Sequence, residues 1–358
     1  MNLSMSQKDS AIILTWPDAT IRGDEKWMMF FKKIGIVKNL NFKVGHTGVV
    51  LVKHETGELF FYDFGRYIAP RGYGRARSKD SDPLLKIAVR ATFKDGKINN
   101  LEEIVAHFET IKHAMYGEGR LFFSIAEDID FDIAKAYGDE CVRQGTYPYG
   151  AVAKNNNNCS RFITRMLMKS NPKYHYWHGI NLPETIKASP ISNVVNVNKD
   201  RMVYSYSPED GLKHFRMNRW QSFFFLVKQL GDNVFQKKAS LLPNDRIIGA
   251  VKFGSKPISV PKSAKYLGGV GDGAWYFLNE RHDNHIEISR YNSQGMLEYV
   301  VLGETPEIID FSEEWDIAYD SHLLFTHVVQ QGKKIRIEHI EVLPVDSYKF
   351  KNLQEKYA

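Results

Sequence analysis

Asn157-Asn158-Cys159-Ser160-Arg161-Phe162-Ile163 decides how the chain is read. The four asparagines at 155–158 stop one segment, and an apolar helical pattern starts directly behind them. Phe162, Ile163, Met166 and Leu167 recur at helical spacing, and Cys159 falls on the same face. Asn157 or Asn158 is a good N-cap, which sets Cys159 in the first turn. Unpaired N–H groups and the positive end of the helix dipole favour a thiolate over a thiol at such a position. An inward-pointing cysteine placed there is a candidate nucleophile. A free cysteine is equally a small buried hydrophobe, so the rest of the chain has to decide between the two.

Composition narrows the class. A length of 358 residues accommodates two domains. With 43% hydrophobic and 25% charged residues the chain reads as an ordinary folded protein. The formal charge of +6 is modest and spread along the chain, which permits anionic partners without arguing for nucleic acid. No apolar run approaches the roughly 20 residues that span a bilayer, and residues 1–14 do not read as a signal peptide. Cys141 and Cys159 are the two cysteines, too few for a disulfide framework or a zinc site. The expectation is a reducing, cytoplasmic setting with no metal and no cofactor.

In chain order, residues 11–16 read as a strand closed by Pro17, and 27–36 as an amphipathic helix. Residues 42–52 carry Gly45-His46-Thr47-Gly48 and then a β-branched run, a buried strand. A turn at 54–58 returns the chain through Leu59-Phe60-Phe61-Tyr62-Asp63-Phe64, so a hairpin is expected. Residues 66–77, rich in Gly and Arg, read as a long loop, and 84–93 as a strand. Asn100 with Glu103 resembles a capping box opening a helix. Ile133, Tyr137 and Cys141 form one stripe of a further helix, a structural role sufficient for Cys141. A loop region at 171–190 carries the expected boundary, giving domains at 1–190 and 195–358. The second domain reads as one apolar helix at 220–230, then short antiparallel strands at 275–278, 286–291, 297–302, 325–329 and 335–342. Gly268-Gly269-Val270-Gly271-Asp272-Gly273 precedes a strand rather than a helix, so it is a turn and not a phosphate cradle.

A thiolate nucleophile needs a base, and the base needs an orienting group. Most of the twelve histidines stand on turns, loops or polar helix faces. His54 is on a turn, His107 and His113 are on the wet side of their helix, and His175 and His178 are in the boundary loop. His282 and His285 flank a solvated turn. His46 stands inside an apolar strand with Gly45 and Gly48 beside it, which leave room for a substrate or another backbone. Asp63, in an aromatic strand, needs a partner because an unpaired buried charge is costly. His46, Arg66 or a backbone donor would serve. The hairpin turn allows either parity, so register does not choose among them.

Gly-His-x-Gly before a Val/Leu run, an acidic residue on a second strand and a later helix opening Asn-Cys-Ser-x-Phe together resemble the circularly permuted NlpC-type papain fold. That superfamily includes lecithin:retinol acyltransferase-like proteins and bacterial hydrolases. The segment 62–67 also looks like that of an uncharacterised bacterial family. In permuted members His precedes Cys, as His46 precedes Cys159 here. The resemblance covers roughly residues 40 to 170 and implies an α+β architecture. A permuted papain-like N-terminal domain, an antiparallel sheet on helices, is followed by a β-rich C-terminal domain of unknown partner. It implies Cys159 as nucleophile, His46 as base and Asp63 as the polar third residue. The gap from His46 to Asp63 is longer than in the acyltransferase branch, so a backbone carbonyl or a water remains open as the third member. The expected reaction is acyl transfer from an amide, ester or thioester, on a peptide or lipid substrate. Arg66 and Arg71, with Arg75 and Arg77 further along the same loop, are candidates to hold an anionic group, and Tyr147 or Tyr149 to line the cleft or donate to an oxyanion. The alternatives are a papain-like binding or scaffold module that has lost activity, and a toxin or effector.

Overall fold

The computed structural model describes residues 9–23, 25–150, 155–171, 189–197, 200–245, 255–281 and 285–345. The segments holding His175, His178 and His282 lie outside the described residues. The first layer is an eight-stranded sheet in which every neighbouring pair is antiparallel. Its strands are β1 (Asp9–Trp16), β4 (His46–Val52), β5 (Leu59–Gly65), β6 (Tyr73–Arg77), β9 (Leu121–Ile129), β10 (Thr146–Pro148), β11 (Met202–Ser207) and β12 (Gly211–Arg216). They run in the order β10-β6-β5-β4-β1-β9-β11-β12. The short pairs β2 (Ile21–Arg22) with β3 (Asn41–Phe42), and β7 (Phe93–Lys94) with β8 (Lys97–Ile98), flank it.

Both faces of this sheet are covered, which explains the unbroken apolar run of β4. Val49 and Leu51 face α3 (Phe131–Gln144) and α4 (Cys159–Ser170), together with the helix Pro190–Asn196. Val50 and Val52 point the other way, toward Ile104, Val105 and Phe108 of α2 (Leu101–Thr110). The second layer is a seven-stranded antiparallel sheet in the order β13-β14-β15-β16-β19-β18-β17. Its members are β13 (Lys265–Gly268), β14 (Gly273–Glu280), β15 (Ile286–Asn292), β16 (Leu297–Glu304), β17 (Trp315–Ile317), β18 (Phe325–Gln330) and β19 (Lys333–Leu343). The edge strands come together, Lys265 Nζ lying 5.4 Å from the Trp315 ring centre, so the sheet curls nearly into a barrel. The mixed α+β architecture and the antiparallel second domain agree with the sequence reading.

Several local expectations are corrected. Residues 84–93 are no strand: a 3-10 turn, Pro83–Leu85, leads into a segment tied by Ala91 N–H to Gly57 O (2.8 Å) and by Thr92 N–H to Asn100 Oδ1 (2.8 Å). Asn100 also donates through Nδ2 to Glu103 Oε2 (2.8 Å), so the two residues pair side chain to side chain, but neither bonds the helix backbone and no capping box forms. On α3 the buried face is Phe131, Ala134, Gly138 and Val142, while Ile133 is exposed. The bare Gly138 admits the ring of Tyr62, whose hydroxyl donates to Asp139 Oδ1 (2.6 Å). The helix Arg219–Gly231 buries only Ser222; its apolar side chains, Trp220 and Phe224 foremost, stand exposed. The first sheet also runs past the boundary expected at 190–195, because β11 pairs with β9. Asn233 then donates to Asn39 O and Asn41 O (2.7 Å each), so residues up to 245 pack with the first layer.

Three histidines sit in the second domain as neutral rings. His322 and His327 both flank Phe325, at 4.3 and 5.0 Å between ring centres, and His339 bridges Thr326 Oγ1 and Leu323 O. Burial pushes all three below the ordinary imidazole value, His327 and His339 to about 4 and His322 well below 6.5. The nearby Arg75 cation adds to this at His322, and Lys334 at His327. Lowered folded values mean that their contribution is complete above about pH 6.5 and is lost as pH falls toward 4. Urea midpoints are therefore expected to decline across pH 6.5 to 4, and His339→Gln to flatten the decline.

Candidate active site

Register assembles the polar row. β1 pairs with β4 so that Trp16 faces His46, β4 with β5 so that Gly48 faces Asp63, and β5 with β6 so that Asp63 faces Arg77. Opposed residues on antiparallel strands share a face, as do residues two apart on one strand. His46, Asp63 and Arg77 therefore project from the same side, and the bare Gly48 between them admits the Phe61 ring, which a Cβ there would meet at 2.5 Å. His46 Nε2 lies 3.1 Å from Asp63 Oδ2. At the strand's start Gly45 has φ +83°, and a Cβ there would stand 2.9 Å from Trp16 O, so only glycine turns the chain into His46 at this point. Thr15 Oγ1 donates to His46 O (3.0 Å) and Thr47 Oγ1 to Leu14 O (2.6 Å), which fixes the backbone on either side.

Asp63 is fully buried and held by three partners. Arg77 donates through Nε to Oδ1 (3.1 Å) and through Nη2 to Oδ2 (2.7 Å), and the Tyr67 hydroxyl donates to Oδ2 (2.5 Å). The Tyr67 oxygen also stands 3.4 Å from His46 Nε2, and its ring is stacked under the Arg77 guanidinium at 3.5 Å. Burial works to raise the Asp63 carboxyl, but the Arg77 charge and the His46 hydrogen bond bring it below the usual carboxylate range. Burial works to lower His46; hydrogen bonds to Asp63 and Cys159, and the charges of both, overcome it and raise the imidazole to about 9. Burial and the adjacent carboxylate keep Tyr67 a phenol, against the opposing charge of Arg77.

Cys159 reaches this row from α4. Asn158 caps the helix with its side chain accepting from Arg161 N–H (2.9 Å), which makes Cys159 the first helical residue. Phe162 lies between Phe64 and Tyr137, and Asn193 donates to Ser160 O (2.9 Å), so the first turn is clamped from two sides. Cys159 is buried and close enough to His46 and Tyr149 for its charge to help raise the pKa of both. With Nε2 of His46 turned to Asp63 and Tyr67, Nδ1 is the ring nitrogen available to the thiol. Ser160 Oγ lies 3.9 Å from the sulfur.

Two adjoining cavities meet at these groups. One, of about 540 Å³, opens onto His46 and Tyr67. The other, of about 240 Å³, holds Cys159 among Phe42, Val44, Leu226 and Leu230. Ile21, Arg22, Arg66 and Tyr149 line both, and the Arg66 guanidinium stacks 4.4 Å over the Tyr149 ring. Of the residues singled out from sequence, Cys159, His46, Asp63, Arg66 and Tyr149 are thus drawn together. Arg71 is exposed against Met29 Sδ (3.2 Å), and Tyr147 faces a separate hollow with Tyr137 and Cys141; neither lines the two cavities. The two part because β10 ends at Pro148: Tyr147 is inside the strand, whereas Tyr149 lies past its end and bridges to Asn157 beside the α4 cap. The sequence reading missed Tyr67, taken as a loop residue, and His113, which lines the larger cavity; Arg75 and Arg77, read as loop arginines for an anionic group, stand instead on β6 and hold Asp82 and Asp63. Arg77 carried one usable signal, since a buried acid in a neighbouring strand requires a cation. Among the described residues no group of three or more His, Cys, Asp or Glu is arranged to hold a metal ion, and no helix is long and apolar enough to cross a membrane.

Fold and site together define a mixed α+β protein with a buried thiol beside an imidazole that is hydrogen-bonded to a carboxylate. Residues 11–176 match the family described as type VI secretion system effector TseH-like, and residues 264–340 match the DUF6695 C-terminal domain. The crystal structure of the type VI secretion system effector TseH aligns over 58% of this chain and 98% of its own, at 18% identity and a TM-score of 0.39. No curated protein matches the chain.

Proposed function

We propose that the chain is a cysteine-dependent hydrolase or acyltransferase built on a permuted papain-like domain. The observation that carries this is Cys159 set beside His46, whose ring Asp63 holds at 3.1 Å, where two cavities join. His46 takes the thiol proton, the Cys159 sulfur bonds to an amide, ester or thioester carbonyl carbon, and the tetrahedral adduct collapses as His46 returns the proton to the leaving nitrogen, oxygen or sulfur. Water or a second acceptor then attacks the acyl-sulfur carbonyl, and the thiol is regenerated. Asp63 orients the ring. In this reading the N–H at the start of α4 and the Tyr149 hydroxyl receive the oxyanion. Since His46 serves the leaving group, that part of the substrate occupies the larger cavity, and the acyl part rests in the apolar one behind Cys159. Arg66, between the two, holds an anionic group of the substrate. The similarity of residues 11–176 to type VI secretion system effectors supports an effector role, with the protein made in a reducing cytoplasm and exported.

Intact-protein mass measurement after exposure to a p-nitrophenyl acyl ester tests the reading. One acyl adduct is expected, mapping to Cys159, retained in Cys141→Ala and absent in Cys159→Ala. No adduct, or one on Cys141, returns the chain to the class of inactive binding modules.

A further inference from the structure

The segment 66–69 belongs to two bodies at once. Tyr67 turns its ring to His46 and Asp63, while the next residue, Ile68, is buried in the core of the second domain with Tyr276, Ile288 and Val301. The glycine-rich connection between β13 and β14 lies directly on this strap. A Cβ at Gly269 would stand 2.4 Å from Tyr67 O and 2.7 Å from both Ile68 Cα and Ala69 N, so backbone rests on backbone. Gly271 N–H donates to Arg66 O and Tyr67 O at 3.3 Å each, and Tyr319 OH donates to Gly268 O (2.9 Å), anchoring the connection to the barrel. Val270 and Gly271 form part of the wall of the larger cavity. A second route runs through Asp272, whose carbonyl accepts from Gly269 N–H (2.7 Å) and whose carboxylate accepts from Gly273 N–H (2.7 Å) and adds its charge beside Tyr116; that ring is 4.9 Å from Tyr67 and 4.9 Å from the Arg77 guanidinium.

We infer that the second domain is a working part of the catalytic site, with Gly269 and Asp272 as positioning residues that set the Tyr67 hydroxyl against the His46–Asp63 pair and complete the leaving-group cavity. This rests on the thiol-acylation reading above. Only glycine fits at 269, since displacement of its neighbours would have to come from the strap's own backbone. A shifted strap moves the Tyr67 hydroxyl off Asp63 Oδ2, the oxygen that it shares with His46 and Arg77, and so alters how the carboxylate holds the imidazole. The connection that reads as a bare turn in sequence acts as the bearing surface between the domains.

The test uses the full chain and the pH profile of Cys159 acylation, with urea unfolding measured in parallel. Gly269→Ala is expected to move the alkaline limb set by His46 up by about one pH unit, because Asp63 Oδ2 relieved of the Tyr67 donor holds the imidazolium more strongly, and to slow acylation at pH 7 about 10-fold through the misplaced ring. Asp272→Asn, which keeps the shape of the connection, is expected to move the limb in the same direction. Gly303→Ala is the comparison: its Cβ meets Ile337 Cγ2 at 2.6 Å and Ile288 Cδ1 at 3.1 Å in the barrel core, with no backbone of the strap among its nearest neighbours, so it lowers the urea midpoint and leaves the limb in place. If Gly269→Ala fails to fold, Asp272→Asn carries the test. An unmoved limb in the folded variants, or an equal shift in Gly303→Ala, overturns the inference while leaving the nucleophile intact. Wild-type acylation that does not depend on His46 removes the catalytic reading itself, and this inference with it.

Discussion

His46→Ala is expected to slow acylation of Cys159 by roughly 10²- to 10⁴-fold at neutral pH, the usual contribution of a positioned acid–base group. His46 is where the thiol proton goes and where the leaving group's proton comes from, and both steps are removed together. The donor form is imidazolium, whose pKa the Asp63 and Cys159 hydrogen bonds raise to about 9 against the opposing effect of burial. Leaving-group protonation is therefore available below that pH and fades above it, giving the wild-type profile an alkaline limb near 9. Asp63→Asn removes one of the two supports and moves the limb down. The same shift enters stability: a raised folded value contributes fully below the ordinary 6.5 and is lost as pH rises through about 9. Rates of ester acylation followed by mass across pH 5 to 10 check all of this. A His46→Ala rate within threefold of wild type would exclude His46 as the base.

Arg77→Met carries the largest expected effect on stability. Asp63 is wholly buried, and Arg77 supplies two of its hydrogen bonds and its nearest fixed cation. Removing one partner of a buried pair leaves an uncompensated charge, which costs about 3–5 kcal/mol. The variant also strips the guanidinium from the face of Tyr67, 3.5 Å away, and its bond to Ala114 O. Urea denaturation at pH 7 measures the loss. Asp63→Asn strands Arg77 in the same way, so the double variant Asp63→Asn/Arg77→Met is expected to lose much less than the sum of the two. Additive losses would mean that the pair contributes nothing specific and that Asp63 is held by Tyr67 and His46 alone.

Local patterns determined much of this protein. Alternation and β-branching in 46–52 and 59–65 define a hairpin, and the polar turn between them closes it. The asparagine run and the 3.6-residue stripe behind it define α4 with Cys159 at its head, because capping and amphipathicity are short-range. His46 between two glycines and Asp63 among aromatics are conspicuous for the same reason: each is a polar residue in an apolar local context. Tertiary structure decided the rest. The parity that faces Gly48 with Asp63, and so turns the carboxylate toward His46, depends on a pairing that either turn length allows. Arg77 and Tyr67 join the site because β6 forms and the strap folds back, in a stretch without periodicity. The pairing of β11 with β9 and the seat of the 268–273 connection on residues 66–69 join segments far apart in sequence. Cysteine, histidine and acid were legible as types because a residue advertises its chemistry where its neighbours are of another kind. Their assembly was not, since distance between strands is a property of register and packing, which no local window contains.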